Sequence, residues 1–336
     1  MQKTNKVGDD LYDFYDPQAS LYVQQENEKK EIKRISITAG LSVIAYVLVQ
    51  NILSIIIYLS PLGEIYQNDL TMQSVVTVFL SVLGILVPFG IGGYFLSKKT
   101  NKPAVSFDRP VSISLMLSAS CLGFFICLAG NYVTSIFVSM MESGGVTLTA
   151  PEYSPPSDIP GRIIYAISIA VVPALVEEFA VRGVILQPLR KYGDKFAILA
   201  SALIFAVMHG NLIQAPFALI AGIGIGYAVC ITNSIWTGVL IHFCNNLYSV
   251  IIEFIVADIS DVQTVDNVYL AITAAIYAIT ILGSVVFVIL KRRRKLMPSF
   301  TAMTEKKKIR TFIFTLPMII ALLMMISITS NFVSFG

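Results

Sequence analysis

Residues 163–189 read IIYAISIAVVPALVEEFAVRGVILQPL, an apolar run that is long enough to cross a bilayer yet carries three charges near its middle. An α-helix needs roughly 20 apolar residues to span the hydrocarbon core, so this stretch predicts a membrane helix. Glu177, Glu178 and Arg182 stand against that reading, because each costs about 2.5–3.5 kcal/mol at a helix centre on insertion scales. Glu178 and Arg182 are four residues apart, acid before base, so one helix face carries both and an ion pair can offset the cost. Glu177 is rotated about 100° from Glu178 and is left without that partner. A carboxylate turned toward a bundle interior is a candidate general base, and a buried helical ion pair is a candidate brace.

The rest of the chain fits a membrane setting. Of 336 residues, 55% are hydrophobic and only 13% charged, with a mean hydropathy of +0.74, whereas a soluble domain carries roughly a quarter charged residues. Nine candidate spans fall at approximately 36–60, 72–97, 111–140, 162–190, 195–210, 212–230, 235–257, 266–290 and 311–333. Nothing alternates with the period of two that a membrane barrel requires. The expected class is therefore an all-α, polytopic transmembrane helical bundle of about eight or nine spans, with the lipid bilayer as its solvent. The first apolar run follows about thirty polar residues, which favours a retained anchor over a cleaved signal. The net charge of +3 and its placement at segment ends point to topology and not to a nucleic-acid partner. Cys121, Cys127, Cys230 and Cys244 are scattered, without the paired spacing of a zinc or disulfide framework.

Basic groups at Lys29, Lys30, Lys33 and Arg34, at Lys98, Lys99 and Lys102, at Arg190, Lys191 and Lys195, and at Lys291–Lys295 fall on one side if every span is real. Glu64 and Asp69, then Glu142, Glu152 and Asp158, then Asp258, Asp261 and Asp266 fall on the other. The positive-inside rule then predicts a multi-pass protein of the cell membrane with a cytoplasmic N-terminus and an extracellular C-terminus. The organisation expected is a cytoplasmic tail over 1–34, accessory helices over 35–145, a functional core over 162–257 and C-terminal helices over 266–336.

The chain's only two histidines fall in that core. His209 ends SALIFAVMHG, and His242 lies in IWTGVLIHFCNN with Asn246 one helical turn on. Counted at about 1.5 Å per residue from the basic cluster at 190–195, Glu177 and His209 come to similar depth, and His242 somewhat shallower. Hydrolysis of a peptide bond needs a water, a base and donors for an oxyanion. Glu177 with His209 could hold and deprotonate the water, and His242 with Asn246 could donate to the oxyanion. The same Glu177, His209 and His242 also make a His₂Glu set of the kind that binds catalytic Zn²⁺, so both chemistries stay open.

At these residues the chain resembles the CAAX-protease and bacteriocin-processing family of intramembrane peptidases, which includes the type II CAAX prenyl endopeptidases. The family pattern E-E-x-x-x-R, F-x-x-x-H and H-x-x-x-N/D appears here as EEFAVR at 177–182, FAVMH at 205–209 and HFCNN at 242–246. The resemblance covers roughly 162–250. It implies an endopeptidase acting on a peptide or membrane-protein substrate, with Glu177, His209, His242 and Asn246 catalytic and Glu178 and Arg182 in support. Many bacterial members accompany peptide maturation or bacteriocin self-immunity. A transporter, or a non-catalytic immunity or scaffold protein, could use the same buried charges. Glu253 is expected to snorkel at a helix end, and Gly222, Gly224 and Gly226 to form a close-packing face.

Overall fold

In an apolar solvent a backbone satisfies its own N–H and C=O groups most fully as a helix, and the apolar runs are helical throughout. The computed structural model describes residues 17–100, 103–151, 154–291, 294–298 and 300–335. Residues 1–16 of the expected tail, with Lys102, Glu152, Arg292 and Arg293, lie outside them. The helices are α1 (Pro17–Leu59), α2 (Leu62–Asn68), α3 (Leu70–Lys99), α4 (Ile113–Ser143), α5 (Ile159–Tyr192), α6 (Asp194–Met208), α7 (Ala215–Thr232), α8 (Ile235–Asp258), α9 (Val262–Leu290), α10 (Glu305–Ile313) and α11 (Leu316–Ser330). The protein is an all-α, polytopic helical bundle.

Among the described residues seven helices are long and apolar enough to cross a membrane, namely α1, α3, α4, α5, α7, α8 and α9. Two of the nine expected spans come out differently. The fifth is α6, whose 15 residues reach only about 22 Å of the roughly 30 Å hydrocarbon core. It rises part of the way, turns at His209 and Gly210, and α7 returns. The last span is broken: α10 and α11 meet at 71°, with Thr315 and Pro317 at the bend, and count as an eighth span only if taken together.

The two ends of the bundle differ in chemistry. At one end Arg190 bonds Asp194 at 2.8 Å, Lys191 lies 3.6 Å from Glu31, and the buried Lys308 donates to the Tyr192 carbonyl at 2.7 Å. At the other end Arg162 of α5 is paired with Asp258 of α8. There too a short antiparallel ribbon joins β1 (Val146–Leu148) to β2 (Val333–Phe335). Three acidic residues read as loop markers, Asp69, Asp158 and Asp261, also cap helix starts: each accepts a backbone N–H from the first turn of α3, α5 or α9.

The stretch 17–34, expected as part of a tail, is instead the first part of α1. Apolar Ile32 and Ile35 are buried, and Glu28 accepts the backbone N–H groups of Ala302 and Met303, both at 2.9 Å. That carboxylate ties α1 to the connection between α9 and α10. Glu28→Ala leaves the buried N–H of Met303 without a partner, at about 1–3 kcal/mol, and frees the half-buried N–H of Ala302 as well. Trypsin should then cut after Arg294 and Lys295 several-fold faster in detergent-solubilised protein, with the sites read by mass spectrometry.

Candidate active site

The charged helix α5 departs from α-geometry on both sides of its glutamates. Residues 167–171 and 179–186 are π-helical turns, and Pro173 lies between them. Such turns occur often at functional sites because the extra residue re-aims neighbouring side chains. Pro173 has no N–H to return to the carbonyl of Ile169 four residues earlier. Asn246 of α8 supplies the missing donor, its Nδ2 bonding Ile169 O at 2.9 Å.

Glu178 and Arg182 are fully buried and paired, Nη1 donating to Oε1 at 2.7 Å. His242 brings its Nδ1 to the same oxygen at 3.1 Å, so Glu178 joins α5 to α8 as well as bracing its own helix. The guanidinium also donates to the Gly222 carbonyl of α7 at 3.3 Å and lies 4.5 Å from the centre of the Phe205 ring of α6. His209 and His242 both meet that ring edge to face, at 4.9 and 5.7 Å between centroids. The shallower depth counted for His242 therefore does not keep it from the group: both imidazoles meet at the Phe205 ring. Gly238 is where α8 comes nearest: a Cβ there would fall on Oε2 of Glu178. The glycine face of α7 is a packing face, since a Cβ on Gly222 would stand 3.0 Å from Cα of Ala202.

Glu177 points elsewhere. It is half-buried, has no hydrogen bond or ion pair among the described residues, and lines a cavity of about 540 Å³ together with His209, His242, Asn245 and Asn246. His209 Nδ1 is held by the Phe205 carbonyl at 2.8 Å, and His242 Nδ1 by Glu178. The ring atom left to the cavity is Nε2 in both. Asn245 donates to Oδ1 of Asn246 at 3.2 Å, and each amide keeps one N–H.

The zinc alternative needs three ligands converging within about 2 Å of one point. Among the described residues no three His, Cys, Asp or Glu side chains are grouped so as to hold a metal ion. The Glu177, His209, His242 set as arranged does not fit that requirement.

Sequence reasoning missed the far half of the cavity. Asn131, Thr134 and Ser135 of α4, Thr77 and Ser81 of α3, and Glu253 of α8 all line it. The helices expected to be accessory therefore build its wall. A spacing signal existed, since Cys127, Asn131, Thr134 and Ser135 share one face of α4, as His242, Asn246, Ser249 and Glu253 share one of α8. Glu253 does not snorkel to an end: it is half-buried and accepts the Tyr165 hydroxyl at 2.7 Å.

Fold and site together describe a multi-pass membrane protein whose bundle encloses a cavity lined by carboxylate, imidazole and amide groups. Within it, residues 159–248, or 90 of the 336, match the family model described as type II CAAX prenyl endopeptidase, Rce1-like. No curated protein and no solved structure matches the chain.

The two glutamates should separate in a stability experiment. Arg182→Met strands a buried carboxylate and should cost about 3–5 kcal/mol, with a clear drop in the melting temperature of detergent-solubilised protein. Glu177→Gln breaks no internal bond and should stay within about 0.5 kcal/mol of wild type. Equal losses in the two variants would contradict the division of labour.

Proposed function

We propose that this protein is an intramembrane endopeptidase in which Glu177 activates a water for attack on a peptide bond, without a metal. The observation that carries the proposal is the unpaired Glu177 carboxylate facing the same cavity as two imidazole Nε2 atoms and the amides of Asn245 and Asn246. The match of 159–248 to a family of membrane endopeptidases supports the reaction class.

A water between Glu177 and His209 donates one hydrogen to the carboxylate and one to Nε2 of the ring. Glu177 takes the first proton as the water oxygen adds to the substrate carbonyl carbon. The oxyanion receives the spare N–H of Asn246 and, when His242 is protonated at Nε2, that N–H too. Collapse breaks the C–N bond, and Glu177 returns its proton to the leaving amine. Glu178 and Arg182 touch no substrate in this scheme; they fix the His242 ring and hold α5, α6, α7 and α8 in register. The substrate is a peptide or a segment of a membrane protein, reached within the bilayer. The end of the bundle rich in lysine and arginine faces the cytoplasm of the cell.

The test is cleavage of a quenched fluorescent peptide library by protein in liposomes. Glu177→Gln and His209→Ala should each lower kcat by about 10²–10⁴-fold, and a chelator should change the wild-type rate little. Turnover that survives both substitutions, or that a chelator abolishes and zinc restores, would overturn the mechanism. Proton-coupled flux of a solute without any cleavage would favour a transporter, and neither activity a non-catalytic immunity role.

A further inference from the structure

The cavity continues well past the reacting groups. Along α8 its wall runs from His242 through Asn246 and Ser249 to Glu253, and along α5 from Glu177 through Ile169 to Tyr165. Those ends meet, because the Tyr165 hydroxyl donates to Oε2 of Glu253 at 2.7 Å. Glu253 stands eleven residues from His242, and Tyr165 twelve from Glu177. At about 1.5 Å per residue the two helices independently put this pair some 16–18 Å from the reacting groups.

Glu253 has no other partner among the described residues, which leaves Oε1 free. Among the described residues no lysine or arginine lines the cavity. The cation close by in sequence, Arg162, is committed: two of its nitrogens bond Asp258, its Nε bonds the Pro156 carbonyl, and it lies 5.2 Å from the centre of the Phe254 ring. A half-buried carboxylate is costly unless something positively charged meets it. Among the polar groups of the wall stand apolar and aromatic side chains, Ile169, Phe217 and Ile225. Glu253 itself lies beyond the segment that matches the family model.

We infer that Glu253 and Tyr165 form a subsite for a cation on the substrate, a lysine or arginine side chain or a free terminal ammonium, bound while the chain to be cut lies extended along the cavity. This rests on the peptidase reading and adds a specificity to it. An extended chain advances about 3.3–3.6 Å per residue, so the cation sits about five residues from the bond that Glu177 attacks. The lysine stem packs on apolar wall while its ammonium reaches Oε1, with Tyr165 holding the carboxylate in place.

Binding can be read apart from cleavage. Hydrophobic fluorescent peptides carrying lysine, norleucine or glutamate at one stepped position are titrated into Glu177→Gln protein in nanodiscs, and the same peptides are offered to wild type for cleavage mapping. Lysine peptides should bind about tenfold or more tightly than norleucine ones, the scale of one charge-assisted hydrogen bond. That ratio should fall to about one when Glu253→Gln is added, and Glu253→Lys should favour the glutamate peptides. Cleavage should map about five residues from the preferred lysine. A lysine-to-norleucine ratio near one before any change at Glu253, or a ratio that survives Glu253→Gln, overturns the subsite even if wild type cleaves every peptide. Charge-dependent binding without cleavage upholds the subsite and overturns the peptidase. Absence of all binding overturns both.

Discussion

One oxygen of Glu178 holds the centre of this protein together. It accepts from Arg182 and from His242 in a place with no access to solvent, so three polar side chains from two helices share a single charge balance. Removing two charges from water is unfavourable, and their mutual attraction repays it only with good geometry and additional hydrogen bonds. Here those additional contacts are the Gly222 carbonyl and the Phe205 ring. The contacts of this one ion pair therefore tie α5, α6, α7 and α8 together, while Nε of Arg182 and Oε2 of Glu178 stay buried without a hydrogen-bond partner among the described residues. The adjacent Glu177, turned about 100° away by helix geometry, makes no hydrogen bond or ion pair with that group and lines the cavity. The doubled glutamate thus places neighbouring carboxylates in two different environments, one fully buried and paired, the other half-buried on the cavity.

That much was legible in the sequence because charged residues inside an apolar run are improbable and must be partnered. The four-residue spacing of Glu178 and Arg182 named the partner, and the two histidines named the other helices. Less legible were the elements whose boundaries depend on packing. The fifth apolar run was long enough with its flanks to pass for a span, but Gly210, at φ +66°, turns the chain back after His209. The charged stretch before the first span resembled a solvated tail, because nothing local reveals that Glu28 meets backbone N–H groups some 275 residues away.

The polar wall of the cavity was hidden for a different reason. In water, polarity marks a surface and its period gives the buried face. In lipid, a serine or threonine can bond a carbonyl of its own helix, as Ser135 and Ser168 do, so it stands on any face at little cost. Such residues carry no directional signal until a structure shows which of them look inward. Glu253 cannot be accommodated in that way, since an ionised carboxylate has no hydrogen to give a carbonyl. It is a polar residue outside the charged motifs from which the rest of the cavity can be traced.

The interruption of α5 by Pro173 and its π-turns bears on the choice of residue at 246. The family pattern admits asparagine or aspartate there. In this chain the carbonyl of Ile169 has lost its helical donor to Pro173, and Nδ2 of Asn246 replaces it. An ionised aspartate has no hydrogen to give, and would set a carboxylate against a half-buried carbonyl that has lost this donor. The proline and the asparagine are thus coupled. The same amide that closes the break in α5 carries a second N–H, fixed by the first bond, in a side chain that lines the same cavity as Glu177, which is the donor the proposed mechanism assigns to the oxyanion.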